Sequence, residues 1–183
     1  GQVEDLAAWD TEFRMIEVFN ASSWKADRNG TVRDWFALLN TGRPMFAVGS
    51  SDSHGIAGSP VGYPRTCLTL GTDDPRMLDD DMIRDASNDG HSFISGGVYL
   101  DARIGSASHG DTATGVGATA SADVRVQIVD WIQGDFVMDV VVDGTVVNTI
   151  DLDDLPADDM NFSVVRYNDS VSVPVAAAGS WVV

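Results

Sequence analysis

At Gly96-Gly97 the hydrophobic rhythm changes period, and no other sequence feature constrains the fold as strongly. Downstream, apolar and polar residues alternate, which is the period of a half-buried strand. Val124 to Val129 alternates cleanly, and Phe136 to Val142 less so. Asp143-Gly144, followed by Thr145-Val146-Val147, is a two-residue hairpin signature, because both turn residues tolerate positive φ. Asn161 to Tyr167 and Ser170 to Val175 continue the pattern. Short strands separated by turns predict an antiparallel β-sandwich over 98–183. Its core would draw on Val124, Val126, Ile128, Val140, Val142 and Phe162. Gly105 to Ser121, rich in Gly, Ala, Ser and Thr, reads as a loop or a poorly packed connection.

Upstream, residues 1–97 mix the two periods. Arg14 to Asn20 reads as a strand ending at a polar rim. Thr31 to Asn40 reads as a helix, with Thr31 as cap, Asp34 as a short-armed capping box and Gly42 as the stop. Pro44 to Gly49 and Thr66 to Leu70 read as short buried strands. Asp74-Pro75 opens a second helix, running towards Ser87 and stopped near Gly90. The order strand, helix, strand, strand, helix is that of an α/β layer. The predicted fold class is therefore α/β followed by all-β.

Composition narrows the function classes. Eleven Lys and Arg against 28 Asp and Glu leave a formal charge of −17. That surface repels phosphate backbones, so neither nucleic acid nor an anionic membrane is an expected partner. No apolar run approaches the roughly 18 residues of a membrane span. The acids are nearly all Asp, and Lys25 is the sole lysine, a bias that a saline habitat and a GC-rich genome explain equally well. A lone cysteine, Cys67, forms no internal disulfide and leaves the compartment of a soluble chain open, secretion or a periplasmic location included. Gly1 opens the chain without a Met or leader pattern, and Gly179 to Val183 reads as the start of a strand. The expectation is a piece of a longer polypeptide.

The stretch richest in chemistry is Val48-Gly49-Ser50-Ser51-Asp52-Ser53-His54-Gly55. A buried strand runs directly into Asp-x-His, and on extended backbone Asp52 and His54 point the same way. A carboxylate oxygen and an imidazole nitrogen at a strand's C-terminal end suit a divalent ion at about 2.0–2.2 Å. Ser50 and Ser51 are candidates to orient the carboxylate. The competing reading is a turn Asp beside a surface His.

Four runs carry a family resemblance: Ile16-Glu17-Val18-Phe19-Asn20, Asp34 to Gly42, Ala47 to Gly55, and Gly62-Tyr63-Pro64-Arg65-Thr66. Together they resemble the C-terminal part of a PHP (polymerase and histidinol phosphatase) domain, nearest the carbaryl-hydrolase-like metallohydrolases. Gly90 to Gly97 is similar to the stretch that leaves the barrel there and enters an appended β-sandwich. The resemblance covers residues 14 to about 100. It implies that 1–97 is the C-terminal segment of a distorted (β/α) barrel and 98–183 the sandwich. It further implies a cluster of divalent ions (Zn, Mn or Fe) in the complete parent and hydrolysis of phosphate esters or related bonds. The family's closing Asp-x-His falls on Asp52 and His54. Its other ligand motifs would precede Gly1, so the missing N-terminal part of the barrel is an expected partner, and this segment alone is expected to be inactive. The alternative is a non-catalytic β-sandwich binding or adhesion module attached to a degenerate remnant.

Arg65 is the catalytic candidate: beyond the metal loop, a guanidinium can clamp a phosphate or carboxylate, or pair with one of the many Asp residues. Tyr63 is a candidate substrate partner or a packing residue. Glu17 and Asn20 reach the same rim, with Glu17 also readable as a buried carboxylate bonded to backbone. His91 and His109 lack spaced partners and read as surface residues, and Cys67 as a small buried hydrophobe. The acidic run Asp151 to Asp159 lacks the Gly and Glu of an EF-hand and reads as a solvated loop.

Overall fold

The computed structural model describes residues 10, 12–21, 29–58, 61–129, 132, 134–153 and 165–183. The chain is β-rich and divides into two compact units. The first comprises 1–96 with 109–111, and the second 97–108 with 112–183.

In the first unit, β1 (Met15–Asn20) and β2 (Phe46–Ser50) pair in parallel, with α1 (Thr31–Leu39) between them in the chain. A parallel pair requires such a crossover. The helix packs against β1. Its fully buried Leu38 and the buried Val32, with Val18 of β1 and Met45 before β2, supply the buried apolar side chains of this region. Trp35 Nε1 donates to Met45 O at 2.8 Å and ties the helix to the start of β2. The expected N-cap is displaced: Gly30 occupies it, Thr31 is already helical, and no side chain caps the helix. With Thr31 inside the helix, the capping box with Asp34 cannot form. The helix ends at Leu39 with Asn40 as its C-cap, and Gly42, at φ 77°, lies one position beyond the C′ place expected for it.

β3 (Arg65–Leu68) and β4 (Ser92–Ser95) form an antiparallel ladder, with Arg65 opposite Ser95 and Leu68 opposite Ser92. Thr66 joins β3 to β2, its Oγ1 accepting from Gly49 N and donating to Gly49 O, both at 2.9 Å. A Cβ on Gly49 would lie 2.6 Å from Ile94 Cγ2, so only glycine lets the two ladders approach this closely. The single helix expected from Asp74 is broken in two. Asp74 caps a 3-10 turn, Pro75–Met77, by accepting from Arg76 N, and Leu78 is then extended. α2 (Asp80–Asn88) starts afresh, with Asp79 accepting from Met82 N at 2.8 Å. Two Asp residues five apart each act as an N-cap, and a cap has non-helical backbone. α2 closes in a Schellman motif: Gly90 is left-handed at φ 73°, Gly90 N bonds Ser87 O, and His91 N bonds Ala86 O at 2.9 Å.

The second unit is antiparallel. β5 (Val98–Arg103), β6 (Thr119–Ile128) and β9 (Val165–Pro174) make a sheet in the order β5-β6-β9. β7 (Val137–Val142) and β8 (Thr145–Asp151) form a hairpin. Its turn has positive φ at Asp143 (50°) and Gly144 (84°), as the sequence signature requires. Val141 exchanges backbone bonds with Val183 at 2.7 and 2.9 Å, so the last residues pair with β7. Along β6, Ala120, Ala122, Val124, Val126 and Ile128 are buried and the residues between them face outward. They share one core with Val140, Val142, Leu152, Val171 and Val173. Five of the six expected core residues are thus in place, and Phe162 lies outside the described residues.

In the second unit several boundaries differ from expectation. Thr119 to Ser121 belong to β6 and not to the preceding loop. The separate strands read at Asn161–Tyr167 and Ser170–Val175 are, from Val165 on, one strand, with 161–164 outside the described residues. In the acidic run, Asp151 ends β8 and Leu152 enters the core, so its start is not a solvated loop, while 154–159 lie outside the described residues.

Candidate functional site

β1 and β2, being parallel, present their C-terminal ends, Asn20 and Ser50, side by side. Glu17 governs this rim. Its two oxygens accept from Ser50 Oγ and, at 3.1 Å, from Asn20 Nδ2. Glu17 is exposed, not buried, and its partners are side chains, not backbone. Ser50 therefore orients Glu17 and not Asp52. The sequence held all three residues, but their pairing depends on a strand register set across 33 positions.

Beyond Ser50 the chain turns. Asp52 lies at φ 45°, so the extended backbone expected to align Asp52 with His54 is absent. The two side chains meet through this turn, with His54 Nδ1 3.6 Å from Asp52 Oδ1. His54 Nδ1 also lies 2.6 Å from the Asp52 carbonyl oxygen. A carbonyl only accepts, so Nδ1 donates here, and in the neutral ring the lone pair is then on Nε2. Both side chains stand in solvent, His54 at 81% and Asp52 at 51% exposure. Among the described residues no group of three or more His, Cys, Asp or Glu side chains converges as a metal site. One carboxylate and one imidazole are donors a divalent ion accepts, but they form a partial set.

Arg65 opens β3, next to the Thr66 that clasps Gly49, and so belongs to the same end of the strands. Its Nη1 donates to Gly62 O at 2.8 Å. Other arginines are committed to carboxylates: Arg76 to Asp74, Arg84 to Asp81 and Asp85, and Arg103 to Asp101. Those pairings raise the guanidinium pKa values, and the Arg76 bonds hold Asp74 below the usual carboxylate range. Arg65 makes no such pair among the described residues. Pro64 is fully buried while Tyr63 is exposed, so it is the proline that packs under this loop. Ile56, Val61 and Tyr63 leave apolar surface in solvent.

His91 and His109 are not the isolated surface residues expected. His91 Nε2 lies 3.2 Å from Asp111 Oδ1, and the His109 ring packs 5.8 Å from that of Phe93. Chain separation hid both pairs. Cys67 is half-buried, opposite Phe93 in the β3–β4 ladder. Among the described residues no helix is long and apolar enough to cross a membrane. No family model matches the chain, and no curated protein or solved structure is significantly similar to it.

Proposed function

We propose that the chain contributes two ligands, Asp52 and His54, to the site of a metal-dependent hydrolase, most simply a phosphoesterase. The observation that carries this reading is the Asp52–His54 turn beyond the C-terminal end of a parallel strand pair, with His54 Nδ1 bonded to the Asp52 carbonyl so that Nε2 of the neutral ring is the nitrogen left for an ion. Sites of α/β layers lie at such ends. Asp52 and His54, completed by further ligands, would hold a divalent ion, which would supply an acidified water and polarise a phosphoryl oxygen. Arg65, which pairs with no carboxylate among the described residues, would bind the anionic part of the substrate. The first unit is then read as the closing segment of a PHP-like barrel and the second as a β-sandwich attached to it.

The partial donor set supports a second element of the reading: further ligands come from outside these residues. Two ligands leave an ion largely hydrated and its water little acidified. The test is hydrolysis of a generic phosphate ester with Zn or Mn, by this chain and by a longer polypeptide that contains it. Turnover in the longer protein that is abolished by Asp52→Ala, with little in the chain alone, is the expected result. Equal turnover in both would overturn the partial-site reading. Turnover indifferent to Asp52→Ala, or none in the longer protein with either metal, would overturn the hydrolase itself.

A further inference from the structure

The connection between β5 and β6 has the composition of a loose loop, yet its residues 109–111 belong to the first unit. Three independent features hold them there. Asp111 meets His91, whose backbone is fixed by the Schellman motif that closes α2. The His109 ring lies against Phe93 of β4, tilted by 38°. Between them Gly110, at φ 81°, lies against the backbone of Asp89 and Gly90, where an added Cβ would overlap Asp89 O. Gly110 is therefore needed twice, for its left-handed backbone and for the close approach.

We propose that His109-Gly110-Asp111 is a clasp that fastens the β5–β6 connection onto the C-terminal turn of α2 and the start of β4. The β3–β4 register places Ser92, next to His91, opposite Leu68, at the far end of the ladder from Arg65. The clasp thus acts away from Asp52, His54 and Arg65 and serves the fold independently of any activity. It makes the middle of a Gly- and Ser-rich connection a fixed part of the first unit.

Backbone order parameters of the whole chain test this directly. The amides of His109, Gly110 and Asp111 should show values near those of strands, about 0.85, and not the values below about 0.6 of mobile loops. Gly110→Ala should drop all three towards the mobile range while the β6 amides stay ordered. Asp111→Asn, which adds no bulk, should lower them by a smaller amount and should move the His91 ring signals. Mobile-loop values in the wild type would overturn the clasp. So would a Gly110→Ala protein that folds with 109–111 as ordered as before. Should Gly110→Ala fail to fold, unchanged order at 109–111 and unmoved His91 signals in Asp111→Asn would overturn it.

Discussion

Gly49 shows how much one position can hold. Its N–H and C=O both engage Thr66 Oγ1, and its missing side chain admits Ile94 from the other ladder. A methyl group there would sit 2.6 Å from Ile94 Cγ2 and 3.3 Å from Phe19 O, and backbone cannot yield as a side-chain tip can. Gly49→Ala should cost about 1–3 kcal/mol, the range for overpacked interiors, read as a lower urea midpoint. An unchanged midpoint would mean that the two ladders are not packed as described. At this scale the sequence was half legible. Asp52, His54, Arg65, Glu17, Asn20 and Ser50 are all marked by residue type and by nearness to strand ends. Their partners are not, because each bond depends on a turn or register that brings distant positions together. Ser50 with Glu17, and His91 with Asp111, are pairs no local pattern announces.

The elements were legible where local chemistry is unopposed. The alternation of β6 survives intact because one face meets the core and the other solvent. The Asp143-Gly144 turn follows from its residues alone, since a type I′ turn needs positive φ twice. Where two signals compete, sequence reading fails. Asp74 and Asp79 are both good N-caps, and the chain uses both, breaking the expected helix at Leu78. Asp79→Ala should therefore destabilise by about 1 kcal/mol, the usual worth of a cap. Gly144→Ala should cost about 1–2 kcal/mol, because alanine resists the left-handed turn. Denaturant unfolding measures both, and a neutral Asp79→Ala would place the true start of α2 elsewhere.

For the whole molecule the dominant physical fact is its charge of −17. Self-repulsion of that size opposes the compact state, and salt screens it over a Debye length of about 10 Å at 0.1 M. The thermal midpoint should rise as NaCl increases from about 0.05 to about 1 M, and a flat response would show that the charges are already compensated locally. Such a surface also bears on the proposed site, since an anionic substrate would approach against the overall field, with Arg65 proposed to supply the local attraction. The central claim remains the pair at the end of β2. Zinc titrated into the chain, followed by the imidazole proton signals of its three histidines, tests it most directly. The expected result is a weak, saturable shift confined to His54 and lost in Asp52→Ala. A His54 signal indifferent to zinc, or a response centred on His91 and His109, would contradict it.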